Sequence, residues 1–84
     1  MKYKIKKGLI YEKKGKKITI FDPDKSTIIE LNETACYIFE KLKKRIMVNK
    51  IITLMVEKYN LTIKKGENDV KNLILKLLKE EVIK

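Results

Sequence analysis

The side chains that usually carry catalysis or bind metals are few in this sequence, and they are poorly placed for either task. There is no histidine among the 84 residues, and Cys36 is the only cysteine. Imidazole ligands, histidine general bases and cysteine-rich zinc sites are therefore excluded. Ser26 is the only serine and has no evident base beside it. Glu80 and Glu81 are adjacent on a predicted helix and point in different directions, which is typical of solvated charges rather than an acid–base pair.

The spacing of the glycines excludes the common nucleotide-binding loops. Gly8, Gly15 and Gly66 form neither a GxGxxG fingerprint nor a P-loop. The lone thiol of Cys36 is most simply a small buried hydrophobe. We therefore expect a protein that is not an enzyme, uses no cofactor or metal, and acts by binding.

The first third of the chain predicts a three-stranded antiparallel meander. Two β-branched runs flank residues 13–17, a polar stretch in which Gly15 can adopt positive φ and form a hairpin turn. A second turn is predicted at residues 22–25, where proline fixes φ and the aspartates can bond the local backbone. Residues 26–31 then form the third strand.

Three helices are predicted after the strands. Asn32 should end the third strand and cap the first helix, which is expected over residues 33–44. The second helix is expected over residues 48–59. A loop through residues 64–66 should lead to a third helix near 67–82, whose acidic first turn would suit the helix dipole.

Length and composition predict a single α+β domain that spans residues 1–84. A chain of 84 residues is small even for one hydrophobic core. The N-terminus lacks the uninterrupted apolar stretch of a signal peptide, and no segment approaches the roughly 20 apolar residues of a membrane span. We therefore expect a soluble, cytoplasmic protein with no membrane partner.

The third strand of the predicted meander has one unpaired side. Ile28, Ile29 and Leu31 would make it an apolar edge, with Glu30 as the only charged residue among them. A partner segment can add to such an edge as a further strand. Coverage by another part of the chain and pairing in a homodimer are equally open at this point, so the chain is expected to be a monomer or a weak homodimer.

The third helix carries more apolar surface than one-sided burial requires. Its apolar positions cover an arc of roughly 200°, against about 100° for a typical surface helix. They are Val70, Leu73, Ile74, Leu75, Leu77, Leu78 and Val82. The extra flank also carries Lys71, and it either packs within a small core, which we favour, or lines a groove.

Two motifs in the chain resemble a known family. Residues 31–35 form L-N-x-T-A and are followed by apolar residues at helical spacing. The tail at residues 69–83, DVKNLILKLLKEEVI, fits a D-V-x-x-[FL]-[LI]-x-x-L pattern that ends in two apolar residues. Over residues 18–83 the sequence is similar to the PqqD-like family, the RiPP recognition elements that bind leader peptides of ribosomally made, modified peptides. It departs from that family at residues 43–50, where many relatives have Asp-Gly, and at Glu81, which replaces a common glycine.

The resemblance implies a winged-helix-like fold in which a three-stranded sheet precedes a three-helix bundle. In that family the leader peptide pairs with the third strand, in a groove closed by the third helix. Carried over by position, the peptide-binding residues on the strand are Thr27, Ile28, Ile29, Glu30 and Leu31. Those on the helical wall are Lys71, Ile74, Leu75 and Leu78.

The implied function is that of a non-catalytic peptide chaperone or adaptor. It would bind the leader of a precursor peptide by strand addition and deliver it to a modifying enzyme, such as a radical SAM enzyme, or to a leader peptidase. Lasso-peptide and radical-SAM pathways both suit a chain of this size. We expect Ile29→Asp or Leu75→Glu to weaken leader binding without unfolding the domain.

The formal net charge of +10 at pH 7 supports a second hypothesis, a winged-helix nucleic-acid-binding protein. Residues 1–17 alone carry eight lysines against one glutamate. However, Arg45 is the only arginine and glutamine is absent, although these side chains are usual readers of guanine and adenine. A surplus of lysine also has a simple compositional explanation. Nucleic acid is therefore the less favoured partner.

Overall fold

The chain folds into a three-stranded antiparallel sheet followed by three helices, in a computed structural model that describes residues 3–84. The strands are β1 (Ile10–Lys14), β2 (Lys17–Asp22) and β3 (Thr27–Leu31). The helices are α1 (Glu33–Lys43), α2 (Val48–Tyr59) and α3 (Ile63–Lys79). The sheet order is β1-β2-β3, so the predicted α+β class and the predicted order of elements are confirmed.

The hydrophobic core lies between one face of the sheet and the three helices. Alternation along β2 turns Ile18 and Ile20 inward, where they meet Phe39 of α1 and Leu77 of α3 in one buried cluster. Cys36 is also buried in this cluster, as expected for a small apolar side chain. Among residues 3–84, no helix is both long enough and apolar enough to cross a membrane.

Both strand connections follow from local chemistry. Gly15 adopts a φ of 59° in the turn between β1 and β2, a conformation that glycine allows at no steric cost. In the turn between β2 and β3, a carboxylate oxygen of Asp22 accepts the backbone N–H groups of Asp24 at 3.0 Å and of Lys25 at 3.4 Å. The predicted role of the aspartate in this turn is therefore confirmed.

Strand β3 passes into α1 through a single residue. The Asn32 side-chain oxygen accepts the backbone N–H of Ala35 at 2.9 Å, and it also accepts the hydroxyl of Thr34 at 3.1 Å. One of the unpaired N–H groups at the start of α1 is satisfied in this way. The predicted cap is confirmed. At the start of α2, by contrast, Met47 makes no side-chain capping bond.

The predicted start of the third helix is wrong by one turn. Helix α3 begins at Ile63, because the Thr62 hydroxyl accepts the backbone N–H of Lys65 at 3.1 Å and caps it. Gly66 is therefore helical, and it lies against α2, where an added Cβ would be 2.8 Å from Cγ2 of Val56. The first turn of α3 contains no acidic residue, so the expected dipole interaction is also wrong.

The C-terminal end of the predicted third helix is likewise not helical. The helix stops at Lys79, and Glu81 adopts a φ of 60°. The chain then pairs with the N-terminal segment: Lys6 N–H donates to the Val82 carbonyl at 2.8 Å, and Lys84 N–H donates to the Lys4 carbonyl at 2.9 Å. Val82 is buried in the core, but it lies in this short antiparallel pairing and not in a helix.

Candidate peptide-binding groove

Strand β3 presents an open main-chain edge. It pairs with β2 on one side, and no further strand pairs with it among residues 3–84. No Cα atom of β3 lies within 8 Å of a Cα atom of α3. Coverage of the edge by another part of the chain, one of the alternatives left open by the sequence, is therefore not observed in the described residues.

The side chains of β3 divide between the two faces of the sheet. Ile29 and Leu31 are only 4% and 2% exposed and belong to the core, whereas Ile28 is 66% exposed on the outer face beside the exposed Glu30. The expectation of an apolar edge is therefore wrong for Ile29 and Leu31. What β3 offers at its edge is main chain. Ile29→Asp would bury a carboxylate in the core and unfold the domain, so the variant is unsuitable as a test of binding.

Thr27, at the start of β3, has an unusual hydroxyl. Its Oγ1 atom is buried and has no hydrogen-bond partner within the described part of the chain. An unsatisfied buried hydroxyl costs about 1–3 kcal/mol. The edge strand therefore begins at a polar atom that the domain itself leaves unsatisfied.

Helix α3 runs beside β3 across a cleft. At one end, Nζ of Lys25, two residues before β3, donates to the carbonyl of Glu80, just after α3, at 3.3 Å. At the other end, Asn32 lines the cleft together with residues of α1 and α3. The α3 side chains in it are Lys65, Asp69, Asn72, Leu73 and Lys76. Both ends of β3 thus approach α3, and the cleft beside Asn32 is lined by the start of α1 and by a mostly polar flank of α3.

The helical wall implied by the resemblance lies elsewhere. Lys71, Ile74, Leu75 and Leu78 line a second groove, which is completed by Tyr3 and by Val48 and Ile52 of α2. No residue of β3 lines this second groove. On a helix, Leu78 and Asp69 point in directions about 180° apart. The flank of α3 that contains Leu78 is therefore opposite to the flank that contains Asp69 and lines the cleft.

The surplus apolar flank of α3 is not packed in the core. Leu75 is 54% exposed and Leu78 is 36% exposed, although Ile74 beside them is buried. Simple packing, which the sequence favoured, is therefore wrong for these two leucines. They form the wall of the groove between α2 and α3.

The described residues provide no evident catalytic or metal centre. Burial raises the pKa of the Cys36 thiol, and the nearby Glu40 carboxylate raises that pKa further. The thiol is therefore protonated near neutral pH and is a poor nucleophile. Among residues 3–84, no three side chains of His, Cys, Asp or Glu lie close enough together to hold a metal ion.

The family model of PqqD, coenzyme PQQ synthesis protein D, matches residues 18–83 of the chain. The chain belongs to the PqqD family. The match covers almost all of β2, the whole of β3 and all three helices, and so includes both walls of the cleft between β3 and α3. No curated protein sequence matches the chain significantly.

Two solved structures share the fold of this PqqD-family chain along nearly its whole length. TbiB1, solved in complex with the TbiA(beta) leader peptide, is 15% identical with a TM-score of 0.88, and the match covers 100% of this chain and 95% of TbiB1. A lasso peptide synthetase B1, solved with its leader peptide, is 17% identical with a TM-score of 0.86, and the match covers 99% of this chain and 96% of the synthetase. Neither comparison supports the nucleic-acid alternative.

Both departures from the PqqD-like pattern fall at left-handed backbone positions. Arg45, in the connection between α1 and α2, has a φ of 62°, and Glu81, after α3, has a φ of 60°. This conformation costs a residue with a Cβ roughly 1–2 kcal/mol relative to right-handed backbone. The chain therefore forms both turns with residues that carry a Cβ, at some cost in stability.

The polar residues of α3 that line the cleft beside Asn32 were not predicted from the sequence. Lys65, Asp69, Asn72 and Lys76 follow a helical spacing, and that spacing is visible in the sequence. The apolar pattern of α3 does not reveal this flank, because Leu73 is the only apolar α3 residue among those that line the cleft. The signal that could have revealed it was the Thr62 cap, which extends α3 back to include Lys65.

Proposed function

We propose that this PqqD-family chain is a non-catalytic adaptor that captures the leader of a ribosomal precursor peptide as a fourth strand on β3. It then delivers the peptide to a separate modifying enzyme or leader peptidase. The observation that carries the proposal is the open main-chain edge of β3.

The free edge of β3 can accept an added strand. A paired strand lies about 4.8 Å from its neighbour in the hydrogen-bonding direction. Within the described residues, no other strand occupies this edge of β3. The main-chain bonds of the added strand supply affinity without requiring a particular leader sequence.

Specificity comes from side chains on both walls. On β3 the proposed contacts are main-chain groups of Thr27, Ile28, Ile29, Glu30 and Leu31, with the buried Thr27 hydroxyl available as a further hydrogen-bonding group. On α3 they are Asp69, Asn72, Leu73 and Lys76, which line the cleft. These four replace Lys71, Ile74, Leu75 and Leu78, which line the other groove.

The lasso-peptide pathway is the favoured setting. Both solved structures similar to this chain are complexes with a leader peptide, and one is a lasso peptide synthetase B1. A leader peptidase is therefore favoured over a radical SAM enzyme as the protein that receives the peptide. Because a ribosomal precursor is made in the cytoplasm, we place the adaptor there.

The proposal is tested by titrating the chain with the leader peptide encoded beside its gene, at two salt concentrations, while fluorescence anisotropy and amide hydrogen exchange are followed. We expect submicromolar binding that survives added salt and slows exchange in residues 27–31. Protection confined to α2 and the Leu75 flank of α3 would contradict strand addition. A random DNA duplex is the control, and binding to it alone, falling steeply with salt, would support the nucleic-acid alternative.

A further inference from the structure

A cavity rich in lysine lies on the opposite side of α1 from the cleft between β3 and α3. It has a volume of about 260 Å³, is open to solvent on one side, and is lined by the β1–β2 turn, α1 and the C-terminal end of α2. Five lysines line it: Lys13, Lys16, Lys41, Lys44 and Lys58. We call it the lysine cavity. It shares no lining residue with the proposed leader cleft.

The positive charge of the lysine cavity is only partly neutralised. Its two carboxylates are already paired with lysines of the β-hairpin: Lys13 lies 3.3 Å from Glu40, and Lys16 lies 3.8 Å from Glu33. The three remaining ammonium groups, those of Lys41, Lys44 and Lys58, have no carboxylate within 4.0 Å in the described part of the chain. The cavity therefore presents a surplus of cations to any ligand.

Aromatic rings hold two of these cations in position. Nζ of Lys41 lies 4.9 Å from the centroid of the Tyr37 ring, and Nζ of Lys58 lies 5.4 Å from the same centroid. The Tyr37 ring is itself braced edge-on by Tyr59, at a centroid distance of 5.8 Å. Cation–π contacts restrict the motion of the lysine side chains. Less side-chain entropy is therefore lost when a ligand binds them.

We propose that the lysine cavity binds an acidic segment of the protein to which the adaptor delivers its peptide. This inference rests on the proposed function and assigns the partner a face separate from the leader cleft. Carboxylates of the partner segment pair with Lys41, Lys44 and Lys58, and the surrounding lysines steer its approach. Leader and partner can then be bound together, as delivery requires.

The shape of the cavity favours a peptide carboxylate over nucleic acid. A duplex presents a continuous row of phosphates and is bound by a basic stripe or face of matching length. The unpaired ammonium groups here line one open depression between two helices and a hairpin turn, and not an extended stripe. Such a space accepts one or two acidic side chains of a peptide.

The test uses fluorescein-labelled hexaglutamate as the probe, with hexaglutamine as the neutral control, and the readout is fluorescence anisotropy. The cavity variant is Lys41→Glu/Lys44→Glu/Lys58→Glu. The matched variant Lys50→Glu/Lys64→Glu/Lys79→Glu makes the same change of charge at lysines that do not line the cavity. We expect the cavity variant to lose affinity for hexaglutamate by more than about tenfold and the matched variant by less than about threefold.

Equal losses in the two variants would overturn the proposal, because they would mean that net charge alone attracts the probe. Displacement of the probe by a DNA duplex with the same dependence on Lys41, Lys44 and Lys58 would overturn it in favour of nucleic acid. If the cavity variant fails to fold, the corresponding triple Gln substitutions at both sets of lysines replace it. Leader affinity is measured in parallel. A wild-type chain that does not bind the leader would refute the adaptor function. The cavity variant is expected to bind the leader as the wild type does, because the leader cleft and the lysine cavity share no residue.

Discussion

The ammonium group of Lys6 lies 2.8 Å from the buried carboxylate of Asp22. This contact joins the segment before β1 to the turn that leads into β3, the proposed peptide-binding strand. The hydrogen bond from Lys6 lowers the pKa of Asp22 from its ordinary value of 3.8, and the backbone bonds from Asp24 and Lys25 lower that pKa further. The same contact raises the pKa of Lys6 from 10.5.

These pKa shifts predict that the Lys6–Asp22 pair stabilises the fold at intermediate pH. The stabilisation is lost in acid and in strong alkali. Asp22, whose pKa is lowered by folding, contributes stability above its unfolded pKa, and this is lost as the pH falls through the folded value. Lys6, whose pKa is raised by folding, contributes stability below its unfolded pKa, and this is lost as the pH rises through the folded value.

We therefore expect Asp22→Asn to lower the free energy of unfolding at neutral pH and to have a smaller effect in acid, below the folded pKa of Asp22, where the carboxyl is protonated in both states. Urea denaturation at the two pH values measures this difference. Asp24→Asn is the control, because Asp24 is exposed and its oxygen lies 3.5 Å from Lys6. An equal effect of Asp22→Asn at both pH values would mean that the turn geometry, and not the charge, is what Asp22 supplies.

The contact between Gly66 and Val56 predicts a coupled pair of substitutions. In an open helix, Gly→Ala stabilises by about 0.8–1 kcal/mol. We expect Gly66→Ala to destabilise instead, because its Cβ would lie 2.8 Å from Cγ2 of Val56 and the two helices would have to separate. In a Val56→Ala background the same change should become neutral or stabilising. A double-mutant cycle by urea denaturation measures the coupling, and simple additivity would contradict the close approach of α2 and α3.

The Asn32 cap predicts a local cost at the junction of β3 and α1. Asn32→Ala removes the acceptor for the Ala35 N–H and should lower the free energy of unfolding by about 1 kcal/mol. Asn32→Asp retains an acceptor and should cost much less. Thermal unfolding of both variants is the measurement. Equal losses in the two variants would show that the side-chain amide group is needed for a contact other than the cap.

The strands, the Asn32 cap and the bounds of α1 and α2 were predictable because short-range patterns determine them. The start of α3 was not, since Gly66 and the lysines before it are typical of a loop. The reason for a glycine at this position is the Val56 side chain, which is distant in sequence. A requirement imposed by tertiary packing leaves no local signal.

The proposed binding strand was easier to predict than its opposite wall. A meander places its last strand at an edge, so the order of elements alone exposes one side of β3. Helical periodicity identifies faces of α3, but it does not say which neighbour each face meets. The family resemblance placed Leu75 and Leu78 on the wall opposite β3, whereas in the structure they line the groove beside α2, and Asn72 and Lys76 line the cleft beside Asn32.

Two lysines on opposite flanks of α3 provide a matched test of which groove holds the leader. Lys76 lines the cleft beside β3, and Lys71 lines the groove beside α2; both are exposed. For an acidic leader, we expect Lys76→Glu to weaken binding by about tenfold, which corresponds to about 1.4 kcal/mol, because it places a carboxylate beside the bound strand. Lys71→Glu should change the affinity by less than about twofold, as should Leu75→Glu, since neither side chain faces β3. Anisotropy titration of the three variants measures this, and thermal unfolding checks that each is folded. The reverse order of effects would assign the leader to the groove between α2 and α3 and would restore the helical wall that the family resemblance implied.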